Sequence, residues 1–470
     1  MVIAKKSTST ALKSALHERP SIIQRIDQGK ALRKVVSRAI HANYKVSTAR
    51  RDPISIILEQ DKSRIHELVP IRHARMLTSP FAFLRGSAKI MIEDIGLAPT
   101  SKIPVLANGD MHVSNFGIYA TAERNIVFSI NDFDETHPGA WEWDIKRLTA
   151  SAVVCARFLG GDKVTCEQAA RSVVSSYRQK MDEYAHTPYL DLWYHTIKVE
   201  DVLKTLSLPA KKEMKKVINS AKKKTQLTMF EKMSHTVNNH RVIKCTGPLM
   251  ARDAQLESRK NTLKLLDGIL QSYTESLTSD RRNLVNRYQI LDIGRKVVGV
   301  GSVGTRCWVI LLRGVNDFDP LLLQVKEADT SVLAPFSEVS LPYENQGHRV
   351  VSGQRTVQGA PDIFLGWGDY QARDFYVRQL SDMKGGAEFI PGQTKLSNFV
   401  EYCGTCGWAL ALAHAKSGDA AMISGYCGNS DELDTAFTKF AFLYADQNQK
   451  DYEAMQIAAK TGRIQVAKEF

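Results

Sequence analysis

The sequence predicts an α+β protein of two lobes, a mostly helical larger lobe and a small β-rich one. Three observations predict it. Helical stretches are read over residues 54–100, 145–190, 402–416 and 431–470, with Leu148, Ala152, Val153 and Ala156 showing the three-to-four-residue period of a buried helix face. Residues 296–328 change to an apolar–glycine–apolar pattern that ends in Pro320-Leu321-Leu322-Leu323-Gln324-Val325, as successive strands do. Residues 103–148 interleave short apolar runs with a dense set of acids and amides.

The 470 residues suffice for a two-lobed unit with a large core. Hydrophobic content of 43% with 24% charged residues is an ordinary globular balance, which argues against an extended or disordered chain. Residues 1–53 are read as a basic segment with a mobile beginning and a helix around Gly29–His41. Residues 54–290 form the first part of the helical lobe, and 195–290 within them a basic helical insertion with a solvated face. Residues 291–390 form the small β-rich lobe and 391–470 the second part of the helical lobe. No run of 18 apolar residues exists, so no membrane span is expected. The basic start has no apolar core behind it and does not read as a secretory signal. Seven scattered cysteines, an odd number, suit reduced thiols in a cytoplasm. Cys403-Gly404-Thr405-Cys406 stands on an apolar helix and reads as two buried small hydrophobes.

The net charge of +13 points to an anionic partner. Nucleic acid ranks low, because no basic motif is interleaved with aromatics and no helix-turn-helix or zinc pattern is present. A nucleotide and an anionic substrate would use the same charge.

The candidate site begins with Asn108-Gly109-Asp110-Met111-His112-Val113-Ser114-Asn115, a loop after the short run Ile103–Leu106. Asn125–Ile130 is a strand by composition, so Asp132 lies just past its end, followed by Phe133-Asp134. Asn115 and Asp132 flank a strand pair and can converge on one point. Amide and carboxylate oxygens suit magnesium, which keeps part of its water shell. Asp110 is then left to orient or deprotonate a hydroxyl. The competing account makes these acids and amides turn residues bonded to their own backbone. A two-metal phosphoesterase would need a later Gly-Asn-His, and the chain has only Gly428-Asn429-Ser430. Arg72, Arg75 and Arg85, interleaved with apolar residues, either bind an anion or pair with the acids at 132–135.

Gly299, Gly301, Ser302 and Gly304 precede a β run, Cys307–Leu312, rather than a helix, so the glycines turn a hairpin instead of opening a dinucleotide site. The next strand carries Lys326 near its end. A helix is read over 343–360, with Ser352 and Gln354 rather than Glu at its centre. Asp374–Leu380, containing Tyr376 and Arg378, reads as a strand leading to a hinge where backbone groups would meet adenine.

Gly-Asp-x-His-x-x-Asn followed by Asp-Phe-Asp resembles the small-molecule branch of the protein-kinase superfamily, the aminoglycoside phosphotransferase-like enzymes. The glycine hairpin and Lys326 resemble the kinase phosphate lid and its lysine. The resemblance implies ATP and magnesium as cofactors. It gives Asp110 the role of base, makes Asn115 and Asp132 metal ligands and Asp134 a second-metal or structural acid, and assigns Lys326 and residues 299–304 to the phosphates. It makes Asp144 the buttress of the catalytic-loop backbone. Arg306 departs from the pattern, standing where many kinases have Val. The order is also inverted, the acidic loop preceding the lid, so the implied fold is a circularly permuted kinase-like one, with helix 402–416 beside the loop at 108–115. From about Arg51 onward the chain also resembles a large bacterial family catalogued as a domain of unknown function, through Leu68-Val69-Pro70-Ile71-Arg72, Asn131-Asp132-Phe133-Asp134-Glu135-Thr136, Gln324-Val325-Lys326-Glu327-Ala328 and Tyr376-Val377-Arg378-Gln379.

The expected activity is ATP- and magnesium-dependent phosphoryl transfer to an unidentified hydroxyl acceptor. Nucleotidyl transfer from the same site is one alternative. Non-catalytic nucleotide binding, with residues 195–290 recruiting a partner, is another.

Overall fold

Strands Cys307–Arg313 and Pro320–Ala328 are apolar almost throughout, so both of their faces must be covered. In the computed structural model, which describes residues 19–251, 259–339, 343, 345–380 and 383–468, they lie at the centre of a six-stranded antiparallel sheet. Its order is Gly366–Tyr370, Arg373–Gln379, Pro320–Ala328, Cys307–Arg313, Gln289–Lys296 and Met250–Ala251. The glycine segment connects Gln289–Lys296 to Cys307–Arg313, which pair antiparallel with Arg295 opposite Trp308, so it turns a hairpin as the sequence predicts. Helix Gln346–Gln358 falls between the lysine strand and the last two strands in chain order.

Residues 195–290 differ from the expected solvated helical insertion. They contain the hairpin of Ser234–Val237 with His240–Ile243 and give the sheet its strand Met250–Ala251. Leu266, Ile269 and Tyr273 of helix Arg259–Ser276 pack with Trp308, Ile310 and Leu323 on one face of the sheet. Phe230 and Ile243 pack with Val309, Leu311 and Leu322 on the other. The sparse apolar residues of this stretch are therefore core residues, because a sheet apolar on both faces requires two covers. Its basic character survives on helix Leu208–Lys222, where Lys212, Lys215 and Lys216 are exposed.

The larger lobe is centred on helix Trp141–Phe158, in which every residue from Trp141 to Ala156 is buried. Helices Lys163–Ala185 and Leu396–Ser417 pack along each other beside it. Glu432–Lys460 closes the lobe, and Pro53–Asp61, Val69–Met76, Pro80–Arg85 and Ala88–Ile95 supply the helices read at 54–100. Near the start, the helix is Ile22–Ala31 rather than the expected Gly29–His41. Ser21 and Gln24 form a capping box that starts it earlier. The expected mobile beginning, residues 1–18, lies outside the described residues. Cys403 and Cys406 are buried and unbridged. Among the described residues, no helix is long and apolar enough to cross a membrane.

Candidate functional site

The strand Pro104–Ala107 ends at Asn108, and Gly109, at φ +79°, turns the chain into the acidic loop. What holds the loop is Asp144, in the first turn of helix Trp141–Phe158. Its carboxylate accepts the backbone N–H of Asn108 at 2.6 Å and of Gly109 at 2.8 Å. His414 Nε2 lies 3.2 Å from the same carboxylate, and Tyr177 Oη meets His414 Nδ1 at 2.9 Å. Tyr402 Oη donates to the Val113 carbonyl at 2.9 Å. Helix Leu396–Ser417 thus lies against the loop without being joined to it, as the sequence reading expects.

Strands Phe116–Ala120 and Ile126–Ile130 pair with Phe116 opposite Ile130, which brings Asn115 and Asp132 to the same end of the pair. Asn115 donates its side-chain amide to the Asp110 carbonyl at 2.6 Å, which leaves its own carbonyl oxygen for the cleft. The Asp132 carbonyl accepts the Asn108 side-chain amide at 2.8 Å, and among the described residues its carboxylate accepts only a long contact from the Asp134 N–H, at 3.3 Å. Burial, joined by the negative charge of Asp134, pushes the Asp132 carboxyl above the usual range, against the pull of Lys326 and Arg378. The Asp110 carboxylate is gripped by the Arg147 guanidinium, with Nε at 2.9 Å. Burial still pushes Asp110 up, outweighing Arg147.

Asp134 is where the sheet meets the loop. Lys326 forms an ion pair with it, and Ser302 of the glycine hairpin donates to the same oxygen at 3.3 Å. Lys326 also donates to Ser302 Oγ at 2.9 Å, and Tyr376 Oη donates to the second Asp134 oxygen at 2.9 Å. Lys326 pairs with Tyr376, and Gln324 with Arg378, in the strand register, so these four side chains share one face. Arg378 Nε donates to Gln324 Oε1 at 2.9 Å, and its guanidinium lies 5.5 Å from the Tyr376 ring. Burial pushes Asp134 up but the adjacent Lys326 ammonium outweighs it, so the carboxyl is held below its ordinary range. Burial pushes Lys326 down, and Asp132 and Asp134 outweigh that, holding it well above the usual lysine range. At the end of the Tyr376 strand the Leu380 N–H donates to the Leu322 carbonyl at 2.8 Å, and the Leu380 carbonyl accepts from Gln226 at 2.9 Å.

The helix after the lysine strand holds no Glu partner for Lys326; Asp134 fills that place. The helix contributes Arg349 instead, which donates to the carbonyls of Thr136 at 2.6 Å, Asp134 at 2.9 Å and Asp329 at 2.7 Å. Gly353 of the same helix lies so close to the loop that a Cβ would fall 2.3 Å from Thr136 Cγ2. Gly353→Val should therefore lower stability by about 1–3 kcal/mol through overpacking. Urea unfolding measures it, and an unchanged midpoint would show that the helix can withdraw from the loop freely.

Asn108, Asp110, Asn115, Asp132 and Asp134, with Gly301 and Ser302, open onto one cavity of about 1160 Å³. Gly299 and Gly304 lie in the same hairpin, both at positive φ. Arg306 is turned onto Glu327, which accepts from its backbone N–H at 3.0 Å. Of the three early arginines, none forms an ion pair with the acids at 132–135. Arg72 is buried on Asp61 at 2.6 Å, Arg75 donates to the Gly299 carbonyl, and Arg85 lines the cavity. Among the described residues, no three His, Cys, Asp or Glu side chains gather as a metal cluster. The Asn115 amide and the Asp132 carboxylate are among the oxygen donors that line the cavity. Sequence reasoning missed Arg147 and Arg349. Arg147 was findable, since it lies three residues after Asp144 on one helix face; Arg349 left no local signal.

Comparison with curated proteins and with solved structures gives no match. The family described as "Uncharacterized protein conserved in bacteria (DUF2252)" matches residues 64–458, and the chain belongs to that family.

Proposed function

We propose that this protein is an ATP- and magnesium-dependent phosphotransferase with a circularly permuted kinase-like fold, acting on a hydroxyl acceptor. One observation carries the reading. Lys326 of the sheet and Ser302 of the glycine hairpin both meet Asp134 of the acidic loop, although Lys326 and Asp134 are 192 residues apart in sequence. This meeting supports reading the two segments as the kinase-like motifs of one cleft in reversed chain order. The sheet order supports it, because a glycine hairpin, a lysine strand, a helix and a final hairpin laid beside the lysine strand match a kinase small lobe.

The donor set fits magnesium. Among the described residues the Asn115 carbonyl oxygen is unspent and Asp132 has no cationic hydrogen-bond partner, and two protein oxygens suffice where phosphates and water complete the shell. Magnesium, when bound, offsets phosphate charge as the transfer proceeds. Asn115 and Asp132 would hold it. Lys326 faces the phosphates from the sheet, with Asp134 as its structural partner. Gly301 and Ser302 bring backbone to the cavity wall. Asp110, raised by burial and fixed by Arg147, would align the acceptor hydroxyl and take its proton.

The ion pair of Asp110 with Arg147 favours a second reading, nucleotide binding without turnover. Incubation with γ-labelled ATP, magnesium and pooled hydroxyl metabolites separates the two. Phosphotransfer predicts a labelled product whose formation falls by about 10²–10⁴-fold in Asp110→Asn. Equal labelling by the variant would contradict the role of Asp110, and ATP bound without any product would favour the second reading.

A further inference from the structure

Most cations of the cavity wall are already spent. Arg72 serves Asp61, Arg50 serves Asp94 and Asp451, and Arg51 serves Glu59 and Glu93. Arg85 is not spent, and Arg64 is only in part. Arg85 ends helix Pro80–Arg85, its Nε is buried without an acceptor, and no hydrogen bond or ion pair engages it among the described residues. The Arg64 side chain is 10% exposed; it donates to the Val303 carbonyl, while its Nε lies 3.9 Å from Asp61, beyond hydrogen bonding. Both stand against the glycine hairpin. A Cβ on Gly301 would fall 3.1 Å from the Arg85 carbonyl, and one on Gly304 would fall 3.0 Å from Arg64 Cβ.

Buried guanidinium N–H groups without acceptors are costly, and a protein keeps them where a ligand supplies the oxygens. Among the described residues no acid makes a hydrogen bond to either guanidinium, although the charges of Asp110 and Asp132 act on Arg85 and those of Asp61, Asp329 and Glu135 on Arg64. Arg147 holds Asp110 and Lys326 holds Asp134, and the phosphotransferase reading, on which this inference rests for its donor side, commits Asp132 to magnesium. Glu135 is turned to the Val332 N–H at 2.7 Å. Guanidinium forks match phosphate oxygens in bidentate pairs, and two fixed cations match a phosphate dianion better than a single carboxylate. Both arginines come from the segment at 64–85 and line the same cavity as Asp110, Asn115 and Asp132.

We propose that Arg85 and Arg64 form a phosphate subsite for the acceptor, so that the acceptor is a hydroxyl compound already carrying a phosphate. In the transfer, the acceptor hydroxyl oxygen bonds the γ-phosphorus and the bond from that phosphorus to the β–γ bridging oxygen breaks. ADP leaves with that electron pair, and the hydroxyl proton passes to Asp110.

The probe is inorganic phosphate, titrated calorimetrically into the full chain with magnesium, in the presence and absence of saturating non-hydrolysable ATP analogue. Phosphate should bind in both conditions. Arg85→Met and Arg64→Met should each weaken it about ten- to a hundredfold, with Arg85→Lys, which keeps charge without the fork, falling between. Thermal midpoints close to wild type certify that the variants fold, and the two separate positions guard against either one failing to. Phosphate displaced by the analogue would assign the subsite to the nucleotide and overturn the acceptor assignment. No binding to wild type, or binding indifferent to both substitutions, would overturn the subsite. Arginine-dependent phosphate binding without any analogue binding would uphold the subsite while the donor reading fell.

Discussion

Lys326→Met is expected to cost the fold about 3 kcal/mol, since it removes the buried partner of an ion pair whose carboxylate is only partly exposed. The Lys326 side chain is 3% exposed, and its ammonium sits between Asp134 and Ser302. Without it, the burial of Asp134 is opposed only by the hydroxyls of Tyr376 and Ser302 and the more distant Arg378 among the described residues. The pH dependence should change sign. In the native chain Asp134 is held below its ordinary range, so the pair contributes stability above the unfolded Asp pKa and loses it as pH falls through the lowered value. In the variant, burial raises the carboxyl, so stability is highest at low pH and is lost as pH rises through the raised value. Urea unfolding at several pH values reads both effects. Adding Asp134→Asn should recover most of the stability, because the orphaned charge is gone, without restoring nucleotide binding. A single variant as stable as wild type at neutral pH would show the pair to be a surface contact.

Asp144→Ala should be comparably severe, at about 3–5 kcal/mol. Its carboxylate is fully buried and accepts the N–H groups of Asn108 and Gly109, with His414 against the same oxygen as Asn108. The substitution leaves two buried backbone donors without an acceptor and frees the loop that carries Asp110 and Asn115. Hydrogen exchange at Asn108 and Gly109 should accelerate more than global stability alone requires, because the loop opens before the lobe does. Asp144→Asn, which can accept through one oxygen only, should lie between. Exchange unchanged at these two amides would mean that the loop is held by its flanking strands instead.

The role of Asp144 was legible only through the motif resemblance, because it stands 36 residues from Asn108, whose N–H it accepts. The strand pair that converges Asn115 and Asp132 was legible because it is local, as were helix Ala88–Ile95 and the glycine hairpin, where composition and period coincide. The partner of Lys326 was not legible, since Asp134 reaches it only after the chain has laid down the helical lobe and come back. Arg349, which binds three carbonyls of the site, looks in sequence like any helix arginine. Residues 195–290 were misread because Leu266, Ile269 and Tyr273 are isolated among polar neighbours, and the strands they cover lie further along the chain. Arg85 was singled out for its chemistry, but only the cavity distinguishes it from Arg72, which is consumed by Asp61.

The central claim is a magnesium-dependent nucleotide site built on Asn115 and Asp132. Calorimetric titration of ATP, with and without magnesium, into wild type and Asp132→Ala tests it most directly. The account predicts binding that requires magnesium in the wild type and disappears in Asp132→Ala. Absence of binding in the wild type at concentrations well above millimolar, or binding equal in both proteins, would contradict it.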